Sequence, residues 1–311
     1  MMTEWSSDDR KGVLPDIMKE YHIINPAAGQ GAGKTACTAQ ADENTFIYEK
    51  KAPVYARTYL AEHLRAEAGE VRVIVYGGDG TIAEAVSGIM DADAAEKAVL
   101  TARPTGTGND FVRMFRDTPP DTEYRLDVFA CNGGNYAVNV VNIGFDCTVV
   151  DKTATWKTRP FISGTLAYIM GVIEVLCHPL GTEATVEWVD EAGETHTAEG
   201  KFLLCAAANA QYYGGGFRAA PCADASDGLA DLLLVRVITR RRFFGLVGKY
   251  HDGKHIGADG KPIPSVADVI TYTRCRSARF SGMKQLCRDG EVSDGNTLSF
   301  IVLPRVIRYR T

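Results

Sequence analysis

The sequence predicts an α/β N-terminal domain with a parallel sheet, joined to a C-terminal antiparallel β-sandwich domain. Three observations carry this expectation. Up to about residue 127, short apolar runs alternate with helix-length amphipathic ones. Beyond it, strand-like runs follow one another with turn residues between them. Three glycine-rich loops in the first half each follow a strand.

His22-Ile23-Ile24 is a short strand running into the first loop, and Thr45-Phe46-Ile47-Tyr48 is a second. Pro53 to Ala68 reads as a helix: Pro53 suits a first turn, Ala56, Leu60 and Leu64 share a face, and Gly69 ends it. A buried-type strand over Val71 to Tyr76, a helix over Ile82 to Met90 and a strand over Ala98 to Ala102 complete the alternation. In the second half, Leu126 to Phe129 leads into a hairpin turn at Asn132-Gly133-Gly134-Asn135, and Tyr136 to Ile143 runs back. Thr165 to Leu176 is the one clear helix there. Strands are expected over Thr185 to Trp188, Lys201 to Ala208, Leu229 to Ile238, Val269 to Cys275, Ala278 to Phe280 and Leu298 to Leu303. The expected units are 21–127, 128–290 and a returning C-terminal strand within 291–311.

Composition narrows the function classes. Among 311 residues, Lys+Arg number 34 and Asp+Glu 39, a net charge of -5. That excludes a whole-chain basic field for nucleic acid. The eight cysteines form no C-x-x-C pair and read as small buried side chains in a reducing cytosol. The N-terminal stretch has no apolar signal core, and no apolar run reaches the roughly 18 residues of a membrane span. A cytoplasmic protein is expected.

Gly33-Lys34-Thr35 ends like a Walker A loop, but the first glycine of that pattern would fall at 28, which is Ala28; the glycine is Gly29. The more informative stretch is Gly77-Gly78-Asp79-Gly80-Thr81, between a buried strand and a helix. Glycines let a phosphate approach the backbone, and a helix N-terminus favours its charge. Asp79, at the carboxyl end of a parallel strand, is suited to holding Mg²⁺ beside a triphosphate. Thr81 and Glu84 have capping-box spacing. Gly106-Thr107-Gly108-Asn109-Asp110-Phe111 repeats the arrangement one strand later.

Taken with Asn25-Pro26-Ala27-Ala28-Gly29, these loops resemble, in order and spacing, those of the bacterial diacylglycerol-kinase-like lipid kinases. Asn142-Ile143-Gly144-Phe145-Asp146, Asn209 to Gly216, Asp227-Gly228-Leu229-Ala230-Asp231 and Asp289-Gly290-Glu291 continue the resemblance to the C-terminus. It implies an ATP- and Mg²⁺-dependent kinase acting on a lipid hydroxyl, with ATP in the N-terminal domain and the final strands returning toward the cleft. It carries ATP contacts to Asn25, Pro26, Ala28, Gly29, Gly77, Gly78, Asp79, Gly80, Thr81, Glu84, Gly106, Thr107, Asn109 and Asp110. The base would be Glu291 with Asp289 beside it, and Asp79 and Asp127 would be acids of the metal network. A metal site in the second domain would use Asp227 and main-chain oxygens near Asp224 and Leu229. The sequence departs from the family at Tyr48, where a threonine is usual, and at Ala83, where an asparagine is.

Two weaker signals remain. His251-x-x-x-His255 has zinc-like spacing, but Gly253 interrupts it and the glutamate of H-E-x-x-H is missing. Arg240-Arg241-Arg242-Phe243-Phe244 reads as a solvated amphipathic helix or as a peripheral contact with the inner face of the plasma membrane. A lipid at the membrane surface is thus the expected partner, and a homodimer is compatible with it. The alternatives are an NAD kinase of the same superfamily, which the second-half match argues against, and a catalytically inactive lipid- or nucleotide-binding protein, which the retained Asp79 and Glu291 oppose.

Overall fold

The computed structural model describes residues 18–26, 28, 43–47, 55–106, 108–159, 162 and 164–311. Gly29, Lys34, Tyr48, Pro53 and Thr107 lie outside them.

Strands β1 (Lys19–Ile24), β2 (Thr45–Ile47), β3 (Val71–Gly77) and β4 (Ala98–Pro104) are parallel, in the order β2-β1-β3-β4. Helix α1 (Ala56–Arg65) buries Ala56, Leu60 and Leu64. Helix α2 (Asp79–Asp91) buries Ile82, Ala85, Val86 and Ile89. These side chains and Val73, Val75 and Leu100 form one apolar core. A one-turn helix, α3 (Asp110–Arg113), follows β4.

The rest of the sheet is antiparallel apart from one seam. Strand β5 (Glu123–Cys131) turns through Gly133 and Gly134, both at positive φ, into β6 (Asn135–Ala137). Strand β7 (Val140–Gly144) follows after a break at Val138 and Asn139. Helices α4 (Phe145–Lys157) and α5 (Gly164–Cys177) pack together. Strands β8 (Thr182–Asp190), β9 (Thr195–Ala208) and β10 (Ala230–Arg236), helix α6 (Arg240–His251), and strands β11 (Ile270–Ser281), β12 (Gln285–Arg288), β13 (Glu291–Asp294) and β14 (Thr297–Arg310) complete the chain. Strand β14 pairs antiparallel with β11 and β5, and its end lies parallel to β4 through Arg308 and Tyr309. The mixed sheet therefore joins the parallel and antiparallel halves, and the return to the parallel half begins at Thr297.

Three local expectations differ from the structure. Helix α2 begins at Asp79, not Ile82, with Gly78 at its N-cap, so Thr81 lies inside the first turn and forms no capping box. Glu84 instead accepts the backbone N–H of Ala56 at 3.0 Å, at the start of α1. Residues 269–275 and 278–280 are not two strands: β11 is continuous, with a bulge between Cys275 and Ser277. Helix α4 was not expected, because residues 145–157 carry three threonines and no apolar period.

Candidate functional site

The three loops meet at the carboxyl ends of the parallel strands. Asn25 donates its side-chain amide to the Thr81 hydroxyl at 3.2 Å, tying the first loop to the second. Ala28 closes a turn on the Asn25 carbonyl at 3.1 Å, with Pro26 between them. The second and third loops touch through backbone: a Cβ on Gly106 would stand 2.6 Å from the Gly78 Cα, and one on Gly77 would strike the Thr81 side chain. Asn109, at φ 52°, folds its amide back onto the Gly106 carbonyl at 2.7 Å. Both Asp79 carboxylate oxygens accept N–H groups of the third loop, from Asp110 at 3.1 Å and Phe111 at 2.9 Å. Gly80 stands in the first turn of α2 with open space beside its Cα. The result is a glycine-walled cradle at the N-terminus of a 13-residue helix, with carboxylates at its edge.

One cavity of about 560 Å³ opens from this cradle into the second half of the molecule. Asp79, Gly108 and Asp110 line its polar end, together with Asn142, Asp146 and Asp289. The remainder is apolar, walled by α4, α5 and α6 and by strands β9 and β10. Asp110 is buried, with one oxygen on the Gly215 N–H at 2.7 Å; burial pushes its carboxyl up, and Asp79 adds to that. Burial also raises Asp289 to about 6, although three backbone N–H groups pull the other way.

The structure separates residues that the sequence grouped. Asp289 and Gly290 form the tight turn between β12 and β13, with φ of 46° and 86°. The carboxylate of Asp289 accepts the N–H groups of Val138, Asn139 and Val140 at 2.7–2.9 Å, at the break between β6 and β7. Glu291, beyond the turn, is exposed and does not line the cavity. The two acids therefore do not share a direction, as they would on extended backbone. Asp127 is fully buried, and it also stands away from the cavity. It holds the N–H of Gly228 and that of Arg305, at the bulge of β14, both at 2.7 Å. Its acidic neighbours are Asp227 and Asp224, and burial raises its carboxyl.

In the loop before β10, Asp224 accepts the N–H and hydroxyl of Ser226, while Asp227 accepts the Leu229 N–H at 2.9 Å and pairs with Arg274. Among the described residues, three metal-capable side chains converge elsewhere, at Asp190, Glu194 and His196 on the β8–β9 hairpin. His251 and His255 do not converge. His251 pairs with Asp252, whereas His255 is buried against the Ala219 carbonyl. Of the three arginines that open α6, Arg240 bonds the carbonyls of Leu176 and His178, and Arg242 pairs with Asp268. Arg241 is exposed.

Sequence reasoning gave no role to Asp146, Tyr213 or Tyr250, which form a polar chain along the cavity wall. The motif containing Asp146 was visible, but its position beside an apolar chamber depends on α4.

Two family models cover most of the chain: the diacylglycerol kinase catalytic domain over residues 20–143, and the YegS C-terminal NAD kinase beta sandwich-like domain over 139–310. YtlR of Bacillus subtilis is 26% identical, over 94% of this chain and 99% of its own length. A diacylglycerol kinase of Mycobacterium tuberculosis H37Rv is 26% identical, over 78% and 82%. A crystal structure of a diacylglycerol kinase from Bacillus anthracis Sterne shares the fold, with a TM-score of 0.64 at 22% identity over 94% of this chain and 96% of that one.

Proposed function

Because the chain belongs to the diacylglycerol-kinase-like family of lipid kinases, we propose that it transfers the γ-phosphoryl group of ATP, with Mg²⁺, to the hydroxyl of a lipid such as diacylglycerol. One observation carries this reading: Asp79 and Asp110, at the edge of a phosphate-type cradle, line the polar end of a cavity whose remainder is an apolar chamber. A kinase for a polar acceptor has no use for a chamber walled by α4, α5 and α6.

The residues fit ATP and Mg²⁺. The Gly78–Gly106 contact leaves a wall that any Cβ would fill, and the α2 N-terminus points its dipole at the cradle. Asp79 and Asp110 supply hard oxygen donors at its edge. When bound, ATP supplies the phosphoryl group and Mg²⁺ neutralises its developing charge. This chain's part is positioning. Asp79 fixes the third loop through the Asp110 and Phe111 N–H groups, and Asp289 fixes the β6–β7 break that faces the cleft. Glu291 is the proposed base on the strength of its motif alone; its exposed side chain stands beyond the Asp289–Gly290 turn, outside the cavity lining. Asp127, Asp224, Asp227 and Leu229 are proposed as a supporting second-domain site, remote from transfer.

The chamber mouth supports a membrane-surface role. Phe244 on α6 and Ile173 on α5 both line the chamber, yet are 64% and 49% exposed. Among the described residues, no helix is long and apolar enough to cross a membrane. Peripheral docking through this rim, with Arg241 toward anionic headgroups, brings the mouth to its substrate.

The test is transfer from γ-labelled ATP to a panel of diacylglycerol, an isoprenoid alcohol, a sphingoid base and phosphatidylglycerol, with NAD alongside. Label in a lipid supports the reading. Label in NAD alone replaces it with the NAD kinase alternative.

A further inference from the structure

Asp146 opens α4 at the neck of the cavity, where the polar end gives way to the apolar chamber. Protein surrounds its carboxylate, and its partial access is to the cavity it lines. Its partners are neutral: the Asn142 amide at 3.4 Å and the Tyr213 hydroxyl, which bonds the Tyr250 hydroxyl at 2.6 Å. No ion pair with Asp146 occurs among the described residues. Burial raises its carboxyl to about 6. A carboxylate held against an apolar wall without a cation is costly, and a ligand that brings a donor removes that cost.

The cavity as a whole, polar end included, has the volume of on the order of 20 liquid-water molecules, at about 30 Å³ each, and most of its lining is apolar. That is room for one long hydrocarbon chain lying between Val149, Leu176, Leu204 and Phe243. A lipid seated there, with its hydroxyl toward Asp79, carries its headgroup past Asp146.

We propose that Asp146 selects the acceptor: it takes a hydrogen bond or ion pair from a second donor on the lipid headgroup, next to the hydroxyl to be phosphorylated, while one chain fills the chamber. This rests on the lipid kinase reading and narrows it. A diacylglycerol has one hydroxyl and no second donor. A single-chain glycerol ether has a second hydroxyl, and a long-chain amino alcohol has an ammonium group.

Binding tests this without phosphoryl transfer. The full chain would be titrated by calorimetry with three ligands of equal chain length: a plain alcohol, an alkylglycerol and a 2-amino alcohol. At least one donor-bearing ligand should bind roughly 10- to 100-fold tighter than the plain alcohol, the worth of a hydrogen bond to a charged group. Asp146→Asn should erase that preference for the amino alcohol and reduce it for the alkylglycerol, whose hydroxyl can still meet the amide oxygen. The wild-type ranking of the two identifies the donor. Plain-alcohol affinity should not change, which also shows that the variant is folded. Equal wild-type binding of all three, or equal weakening of all three in Asp146→Asn, overturns the proposal. If the preference holds but no lipid is ever labelled, the kinase reading fails and the selection stands.

Discussion

The carboxylate of Asp79 accepts the backbone N–H of Phe111 at 2.9 Å, joining the first residue of α2 to the second residue of α3. Its other oxygen takes the Asp110 N–H. Asp79 thus sets the spacing of two loops as well as offering charge at the cradle. Asp79→Asn keeps one acceptor and turns an amide N–H₂ toward the other donor. Turnover should fall by about 10²–10³-fold, the usual worth of one preorganised electrostatic contact. Stability should fall by about 1–3 kcal/mol for the unsatisfied N–H. Label transfer and thermal melts measure the two separately, and wild-type turnover would remove Asp79 from the mechanism.

Asp289 and Glu291 should part company in mutagenesis. Glu291 is exposed, so Glu291→Gln should leave the melting temperature unchanged and lower kcat by roughly 10²–10⁴, the worth of a positioned base. Asp289→Asn should instead destabilise by about 1–3 kcal/mol, because its carboxylate holds three N–H groups. A full-speed Glu291→Gln enzyme would return the base to the cavity acids.

Asp146 gives a pH signature. Its folded pKa of about 6 lies above the ordinary value of about 3.9. Between those values the folded chain holds a proton that the unfolded chain has released, so this group's contribution to stability rises as pH falls through 6 toward 4. Relative to Asp146→Asn, the wild type should gain on the order of 1 kcal/mol between pH 7 and pH 5. Melts across that range check it, and parallel curves would contradict it. Activity should move the other way, with kcat/KM falling below about pH 6 as Asp146 and Asp289 become protonated.

At the membrane, the three arginines should not act alike. Arg241→Gln should weaken binding to anionic vesicles by about 1 kcal/mol, the value of one cation near such a surface. Phe244→Ser should weaken binding at every salt concentration. Arg240→Gln should act through lost contacts to the Leu176 and His178 carbonyls. Vesicle sedimentation distinguishes them, and equal effects from all three would favour a plain charge count.

The alternating half was legible because its signals are local. Val73 to Tyr76 is a continuous apolar run, and Ala56, Leu60 and Leu64 recur at helical spacing. The Asp289–Gly290 turn is a local signal too, since Asp-Gly is a favoured hairpin pair, yet that turn also rotates Glu291 away from Asp289. What stayed hidden depends on tertiary contact. Helix α4 lacks an apolar stripe because it is wedged between α5, β7 and the cavity. Asp127 looked like a cleft acid, but its partners Gly228 and Arg305 come from distant parts of the chain. The chamber itself is assembled from three helices and two strands, and no short motif encodes it.

The most direct measurement is organic-phase label from γ-labelled ATP with a lipid alcohol in mixed micelles, comparing wild type with Mg²⁺, wild type with chelator, and Asp79→Asn with Mg²⁺. Labelled lipid should form in the first case, with at least a 10²-fold loss in the other two. Equal label in all three, or label in none of the lipids while the folded chain binds ATP, would contradict the lipid kinase reading.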